Sequence, residues 1–206
     1  MLPSEFPKWR TVHVYFSKWS ETDAQGMSVL ERALKKSGWR GPYQTGAQYM
    51  DALRDRRREN TDSARHKGYD AGKKVSGIKR HIAVDTQGLP HAVAVSTADV
   101  TDRKGALQAF ERCADHLKHV TSVLADGGYV GEPFAQGVKA ALGATVQIAK
   151  RNELHRFALM PQRWVVERSF AGLEKCRRLW KNCERALNTS LQFIHLAFLA
   201  LLLKRS

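Results

Sequence analysis

The sequence predicts an α/β fold built around one mixed sheet. Two alternating apolar runs separated by a tight-turn sequence form a β-hairpin, and beyond them helical and strand patterns succeed one another. The length, 206 residues with 43% hydrophobic content, suits one domain with a core and a small appendage.

Ahead of the sheet, Val12–Trp19 reads as a helix with Val12, Phe16 and Trp19 on one face. Ser28–Lys36 reads as a second, with Val29, Leu30, Ala33 and Leu34 turned inward. The Gly/Pro connector Trp39–Gly46 marks a boundary between a short helical N-terminal part, residues 1–46, and a main domain, residues 47–206. Ile78–Val84 alternates, Asp85–Gly88 is a turn, and Leu89–Ser96 alternates again. Arg103–Leu117 follows as a helix with Leu107, Phe110, Ala114 and Leu117 on one face. Val120–Ala125 is short and apolar, a buried strand that ends at Asp126-Gly-Gly. Glu132–Leu142 reads as a helix and Thr145–Ala149 as a strand. A long basic amphipathic helix is expected over Arg163–Arg185, then an apolar helix over Thr189–Lys204 capped by Asn188.

Charge narrows the function. Thirty-four Lys and Arg against 20 Asp and Glu give +14, an excess that points to a polyanion, nucleic acid first, with a basic membrane-surface protein as the rival. Between Arg54 and Arg80 ten basic residues meet four acids, and Gly68, Gly72 and Gly77 punctuate the run. Small residues and Tyr69 among the cations suit an arm that tracks phosphates; a solvated loop is the plainer alternative. Cys113, Cys176 and Cys183 form no disulfide framework or C-x-x-C pair and read as reduced thiols of a cytosolic protein. The first ten residues lack the apolar core of a signal peptide. The greasiest stretch, Phe193–Leu203, is 11 residues long and carries His195, short of the roughly 20 that a membrane span needs.

Two acids stand out. Asp126 closes a predicted buried strand just before a glycine pair, where α/β sheets collect functional groups; opening a turn is the alternative role. Glu167 lies in RWVVERSF, on the apolar side of a basic helix beside Val166 and Phe170, and needs a partner or a metal there. A salt bridge to Arg163 would serve as well. Carboxylates from a strand end and a helix suit Mg²⁺, which prefers oxygen ligands, and in a basic protein the combination suggests two-metal phosphoryl transfer on a nucleic-acid backbone. The eight histidines show no zinc spacing, His81 and His91 read as structural or phosphate-facing, and no nucleotide-triphosphate loop motif occurs.

Three blocks then resemble one family. GYDAGKKVSGIKRHIAVDTQG over Gly68–Gly88, LADGGY over Leu124–Tyr129 and RWVVERSFAGLEKCRRL over Arg163–Leu179 are similar, in order, to motifs of bacterial insertion-sequence transposases of the DDE class, most of all the insertion sequence 5 group. The resemblance runs from about residue 5 to the end. It implies an RNase H-like mixed sheet flanked by helices in residues 47–206, with three carboxylates binding two Mg²⁺ ions. Asp126 would be the second carboxylate and Glu167 the third. Arg163 stands four residues before the glutamate as in the family signature, and Lys175 takes the downstream basic position near DNA. The implied reaction is hydrolysis at transposon ends followed by attack of the freed 3′-hydroxyl on target DNA. Implied partners are double-stranded DNA and further copies of the chain, in the bacterial cytoplasm at the nucleoid.

The sequence departs from the family where the first catalytic Asp belongs. The family carries an apolar strand like Val-Asp-Ser-Gln-Ser-Val-Lys before Asn-Thr-Asp; here YMDALRDRRRENTD occupies Tyr49–Asp62. Asp51 is the nearest candidate and Asp55 the second. Tyr49–Leu53 fits a short strand, but Ala47, Met50 and Leu53 also fit a helical face. About 50 residues of helical domain that usually precede Phe6–Trp9 in the family do not precede it here, and Gly172 replaces a usual Trp. The expected phosphate-contacting set comprises Lys73, Lys74, Lys79, Arg80, Arg163, Lys175, Arg177, Arg178 and Lys181. Three readings follow: an active DDE transposase, a catalytically inactive remnant that keeps DNA binding, and a basic nucleic-acid-binding structural protein.

Overall fold

The computed structural model describes residues 5–38, 48–54, 66–72, 74–148, 163–180 and 182–204, with backbone alone at 37–38, 48–54, 75 and 163–164. The connector Trp39–Gly46, Asp55 and most of the charge run before His66, together with Lys73 and Lys181, lie outside the described residues.

Six strands form the sheet. β1 (Gln48–Arg54) is central, antiparallel to β3 (Val75–Val84) on one edge and parallel to β5 (Ser122–Ala125) on the other. β4 (Pro90–Thr97) pairs antiparallel with β3, β6 (Thr145–Ile148) parallel with β5, and the short β2 (Gly68–Asp70) with the start of β3. α3 (Asp102–Cys113) and α4 (Glu132–Leu142) make the two crossovers, from β4 to β5 and from β5 to β6. An antiparallel trio continued by two parallel strands, with helices on both faces, is the RNase H-like arrangement that the motifs imply. The segment over Tyr49–Leu53 is therefore strand and not helix: it lies in the middle of the sheet, where β pairing on both edges overrides its helical periodicity.

Strand alternation sorts side chains to two cores. Ala83, Ala92, Val123 and Ala125 meet Phe110 of α3 and Phe134 and Val138 of α4. Ile82, Val84 and Val93 point the other way, against α5 (Arg163–Glu174) and α7 (Leu187–Leu203), with Leu34 of α2 (Val29–Gly38) in the same cluster. The first core is close-packed around small residues. At Gly105, in the first turn of α3, a Cβ would stand 2.1 Å from the buried His81 Nε2, so only glycine admits the imidazole there.

Several sequence expectations hold to within a residue or two. The hairpin turns at Asp85–Gly88, where Gly88 has φ +81° and the Asp85 carboxylate accepts from the Gln87 and Leu89 N–H groups. α4 opens with Pro133 in its first turn and ends at Gly143 in the left-handed region.

Others are corrected. In α1 (Trp9–Ser20) Val12 and Trp19 are exposed and only Phe16 packs, stacked on Phe193 at 4.6 Å. Val29, expected inward, is exposed, while Leu30 and Leu34 are buried. The helix expected over 163–185 breaks after Glu174 and resumes as the short α6 (Arg177–Trp180). At 100° per residue a continuous helix would carry Leu179 about 110° away from the buried stripe of Val165, Val166, Ser169, Phe170 and Leu173. The turn at Cys176 returns Leu179 to the core, where it is buried. α7 starts at Leu187, so Asn188 is no cap; it lies within the helix, donates to the Ser20 carbonyl and accepts from Gln192 Nε2.

Candidate active site

The β1–β5 register locates the two aspartates. Met50 pairs with Ala125, so Asp51 and Asp126 follow at the next level of adjacent parallel strands, which run about 4.8 Å apart. Asp51 also lies directly opposite Ile82 in the antiparallel pair, and Ile82 belongs to the core under α5. The register position of Asp51 is therefore on that face. On β5, Val123 and Ala125 join the α3–α4 core while Leu124 packs toward α5. Asp126 keeps an extended backbone (φ −78°, ψ 176°) and so continues the alternation to the Leu124 side.

The loop after Asp126 is tied down on both sides. Asp126 Oδ1 accepts the Gly128 N–H at 2.8 Å, an Asx turn that begins the 3₁₀ turn Gly127–Tyr129. Nothing lies within 4 Å of where a Cβ on Gly127 would stand. Arg103 Nε donates to the Gly128 carbonyl at 3.1 Å and ties this loop to α3, while Tyr129 anchors its far end in the core. Sequence reasoning missed Arg103; an arginine in the first turn of a helix carries no signal that it braces a loop 25 residues on.

α5 crosses β1 and β3. Val165 and Ser169 meet the hairpin turn at Gly88, whose carbonyl accepts from Ser169 Oγ at 3.4 Å. Glu167 is 200° around the helix from Val165, on the side away from that turn. Its side chain is exposed, not on the apolar face where the sequence reading put it, because the buried stripe is made by Val165, Val166, Ser169, Phe170 and Leu173 and Glu167 lies well around the helix from its middle.

The expected DNA-contacting cations divide sharply. Lys74, Lys175 and Arg177 are exposed. Arg178 is exposed but engaged, donating to Glu184 at 2.7 Å and lying over the Phe193 ring. Lys79 and Arg80 are corrections: both are buried. Lys79 Nζ sits 3.2 Å from Asp70, 2.9 Å from Asp102 and 2.6 Å from the Val100 carbonyl, and Arg80 Nη1 donates to the Leu179 carbonyl at 2.9 Å. Strand alternation inside a two-faced sheet buries both whatever their charge, and the partners offset the desolvation. His81 is bonded to Ser96 Oγ and His91 to Asp85. Burial pulls the Asp85 carboxyl upward, yet the bonds from His91, Leu89 and Gln87 hold it below the usual range.

The chain is also similar to known proteins. The family model described as transposase DDE domain matches residues 37–203. The chain belongs to the transposase DDE domain family. A Burkholderia cepacia relative described as a transposase for insertion sequence element IS402 is 34% identical over 132 residues, 61% of this chain and 60% of that protein. The chain thus spans about 60% of the length of that relative. Two solved integrase catalytic cores also align. The HTLV-2 core, in complex with magnesium in a trimeric form, is 16% identical over 79% of this chain and 88% of that one, with a TM-score of 0.45. The BIV core is 14% identical over 74% and 84%, with a TM-score of 0.43.

For a family member the donor chemistry can be tested against a divalent cation. Asp51, Asp126 and Glu167 offer oxygen only, a donor set that fits a hard ion such as Mg²⁺. Among the described residues, which leave out the Asp51 side chain, no side-chain group of three forms a metal cluster. No described helix is long and apolar enough to cross a membrane.

Proposed function

We propose that the chain is the catalytic part of a DNA transposase, which cuts transposon-end DNA and joins it to a target by metal-dependent phosphoryl transfer. Asp51, Asp126 and Glu167 are its carboxylates. The supporting observation is the register that sets Asp51 level with Asp126 at neighbouring strand positions, under the helix that carries Glu167. A Mg²⁺ pair bound there would activate the attacking oxygen and offset charge on the phosphate. The protein's own part is placement. β1 and β5 set the two aspartate positions on one level of the sheet, the Asx turn and Arg103 orient the Asp126 loop, and α5 carries the third acid. Exposed Lys74, Lys175 and Arg177 hold the DNA backbone, with Arg163, Lys73 and Lys181 as further candidates. The three motifs support kinship with the insertion sequence 5 group, residues 1–46 as a helical appendage to a 47–206 catalytic domain, assembly of several copies on DNA, and action at the nucleoid.

The test is strand cleavage of DNA bearing the element ends, with Mg²⁺ or Mn²⁺. Asp51→Asn, Asp126→Asn and Glu167→Gln should each remove cleavage while DNA binding persists. Cleavage that survives Asp51→Asn would move the first carboxylate to Asp55. An unmodified chain that binds DNA and never cleaves it would be the inactive remnant, and replacing residues 51–59 with the family-like Asp-Ser-Gln-Ser-Val-Lys should then restore activity. Neutralising Lys74, Lys175 and Arg177 should lower the salt slope of duplex binding by about 0.9 per lost phosphate contact.

A further inference from the structure

Arg80 sits in the interior of the layer that carries the candidate carboxylates. It is 3% exposed, and burying a guanidinium is costly enough that its retention calls for a role. On β3 it alternates with Ile82, so it projects to the α5 side of the sheet, and its cross-strand partner on β1 is Leu53, two residues beyond Asp51. Arg80 and the Asp51 register position are therefore diagonal neighbours on one face. From there Nη1 reaches the carbonyl of Leu179, in α6, 99 residues along the chain. α6 follows α5 through the tight turn at Cys176, so this bond fixes the far end of the segment that bears Glu167. The near end is fixed separately, where Val165 and Ser169 rest on the Gly88 turn. Glu167 lies in the α5 turn between Val165 and Ser169, and the Arg80 bond holds α6, which follows after the turn at Cys176, so the helix pair is tied to the sheet at two points.

We propose that Arg80 is a positioning residue: it locks α5–α6 onto the β1–β3 strand pair and so sets Glu167 over the level of Asp51 and Asp126. The inference rests on the metal-site reading above and deepens it. Guanidinium suits the task better than ammonium because it stays charged when buried and its planar fork fixes the direction in which Nη1 donates to the Leu179 carbonyl. The sequence presents Arg80 as one more member of a basic run; only the strand pairing turns it inward.

The experiment measures Mn²⁺ binding to the full chain by electron paramagnetic resonance of the free ion, with cleavage as a second readout and far-UV circular dichroism as the check on folding. Asp126→Asn and Glu167→Gln should each weaken Mn²⁺ about tenfold, and Arg80→Met should do so by about tenfold as well, as supporting residues behind metal ligands do. The deciding comparison is the double variant. If Arg80 acts through Glu167, Glu167→Gln should cost less than about twofold once Arg80→Met is present. A full tenfold Glu167 effect in the Arg80→Met chain overturns the positioning role and leaves the metal site standing. Unchanged Mn²⁺ affinity in both Asp126→Asn and Glu167→Gln overturns the metal site itself, and the role of Arg80 with it. Should Arg80→Met not fold, Arg80→Lys keeps the buried charge and one donor. It should fold and show a partial Glu167 effect; a full effect there also overturns the proposal.

Discussion

Under α3 and α4 the sheet presents Ala83, Ala92 and Ala125, and the helices answer with Ala106, Ala109, Phe110, Phe134 and Val138. Under α5 and α7 it presents Ile82, Val84 and Val93, while those helices bury Ser169, Ser190, Gln192 and His195 among their apolar residues. The first face is joined mainly by shape, small against large, with Lys79 bound to Asp102 of α3 and His81 to Ser96 as its polar ties. The second adds polar ties of fixed direction: Ser28 Oγ to Gln192 at 2.7 Å, Ser190 Oγ to Asn182 at 2.8 Å, Arg80 to Leu179. Apolar contact tolerates small slips of a helix, whereas a hydrogen bond between buried groups does not. These three ties lie on the face that holds the Asp51 register position and α5, the helix that carries Glu167.

Acid tests both faces at once, since each holds a buried histidine. Burial lowers His81 to about 4, with Asp102 opposing and Lys79 assisting; burial likewise lowers His195 to about 4, with Glu31 opposing and Arg112 and Lys35 assisting. Both stay neutral in the folded chain down to that pH, while the unfolded chain takes up the protons near 6.5. The unfolded state thus binds more protons in this window, and stability falls as pH drops from about 6.5 toward 4, by about 3 kcal/mol for each histidine. Urea titrations at pH 7, 5.5 and 4.5 should show the fall, and His195→Gln should remove about half of it. An equal slope in that variant would mean that His195 does not contribute.

Phe110→Ala should cost about 4 kcal/mol, because its ring is fully buried and the alanines around it cannot collapse into the void. Mn²⁺ affinity measured under folded conditions should stay within twofold, since that face carries none of the three proposed carboxylates. Glu31→Ala should cost about 3 kcal/mol on the other side. Glu31 is buried on α2 and pairs with Arg112 of α3 and, at 3.3 Å, with Lys35, so its loss strands two cations beside His195. Thermal unfolding monitored by circular dichroism orders the two variants; a Glu31 effect below 1 kcal/mol would mean that solvent reaches the pair.

The contrast between the faces also explains what the sequence discloses. Ile78–Val84, Glu132–Leu142 and the Asp126 loop are legible because local alternation, a proline start with a glycine stop, and a glycine pair each carry their own physics. Asp126 and Glu167 are legible as acids near apolar runs and as parts of family motifs. β1 is not, since YMDALR obeys both periods and only pairing on two edges makes it a strand. The fates of Lys79 and Arg80 are hidden for the same reason: strand parity and packing on both faces decide burial, and neither is written in a basic run. The break after Glu174 needs the position of a core that Leu179 must rejoin.

The smallest expected effect separates a surface cation from a buried one. Arg178 donates to Glu184 and lies 5.2 Å from the Phe193 ring centroid, yet its side chain is 57% exposed. Water already solvates the guanidinium, and holding it against a carboxylate and a ring costs side-chain freedom. Arg178→Ala should therefore lower stability by only about 0.5 kcal/mol, and less in 0.5 M salt, where screening weakens the pair. Urea midpoints at low and high salt measure both numbers. Arg80→Met, probed in the same way, should show a larger loss that salt leaves almost unchanged, because a buried guanidinium is out of reach of mobile ions. Matching salt dependence in the two variants would place Arg80 in contact with solvent and remove the distinction between the surface cations of α6 and the interior tie that holds it.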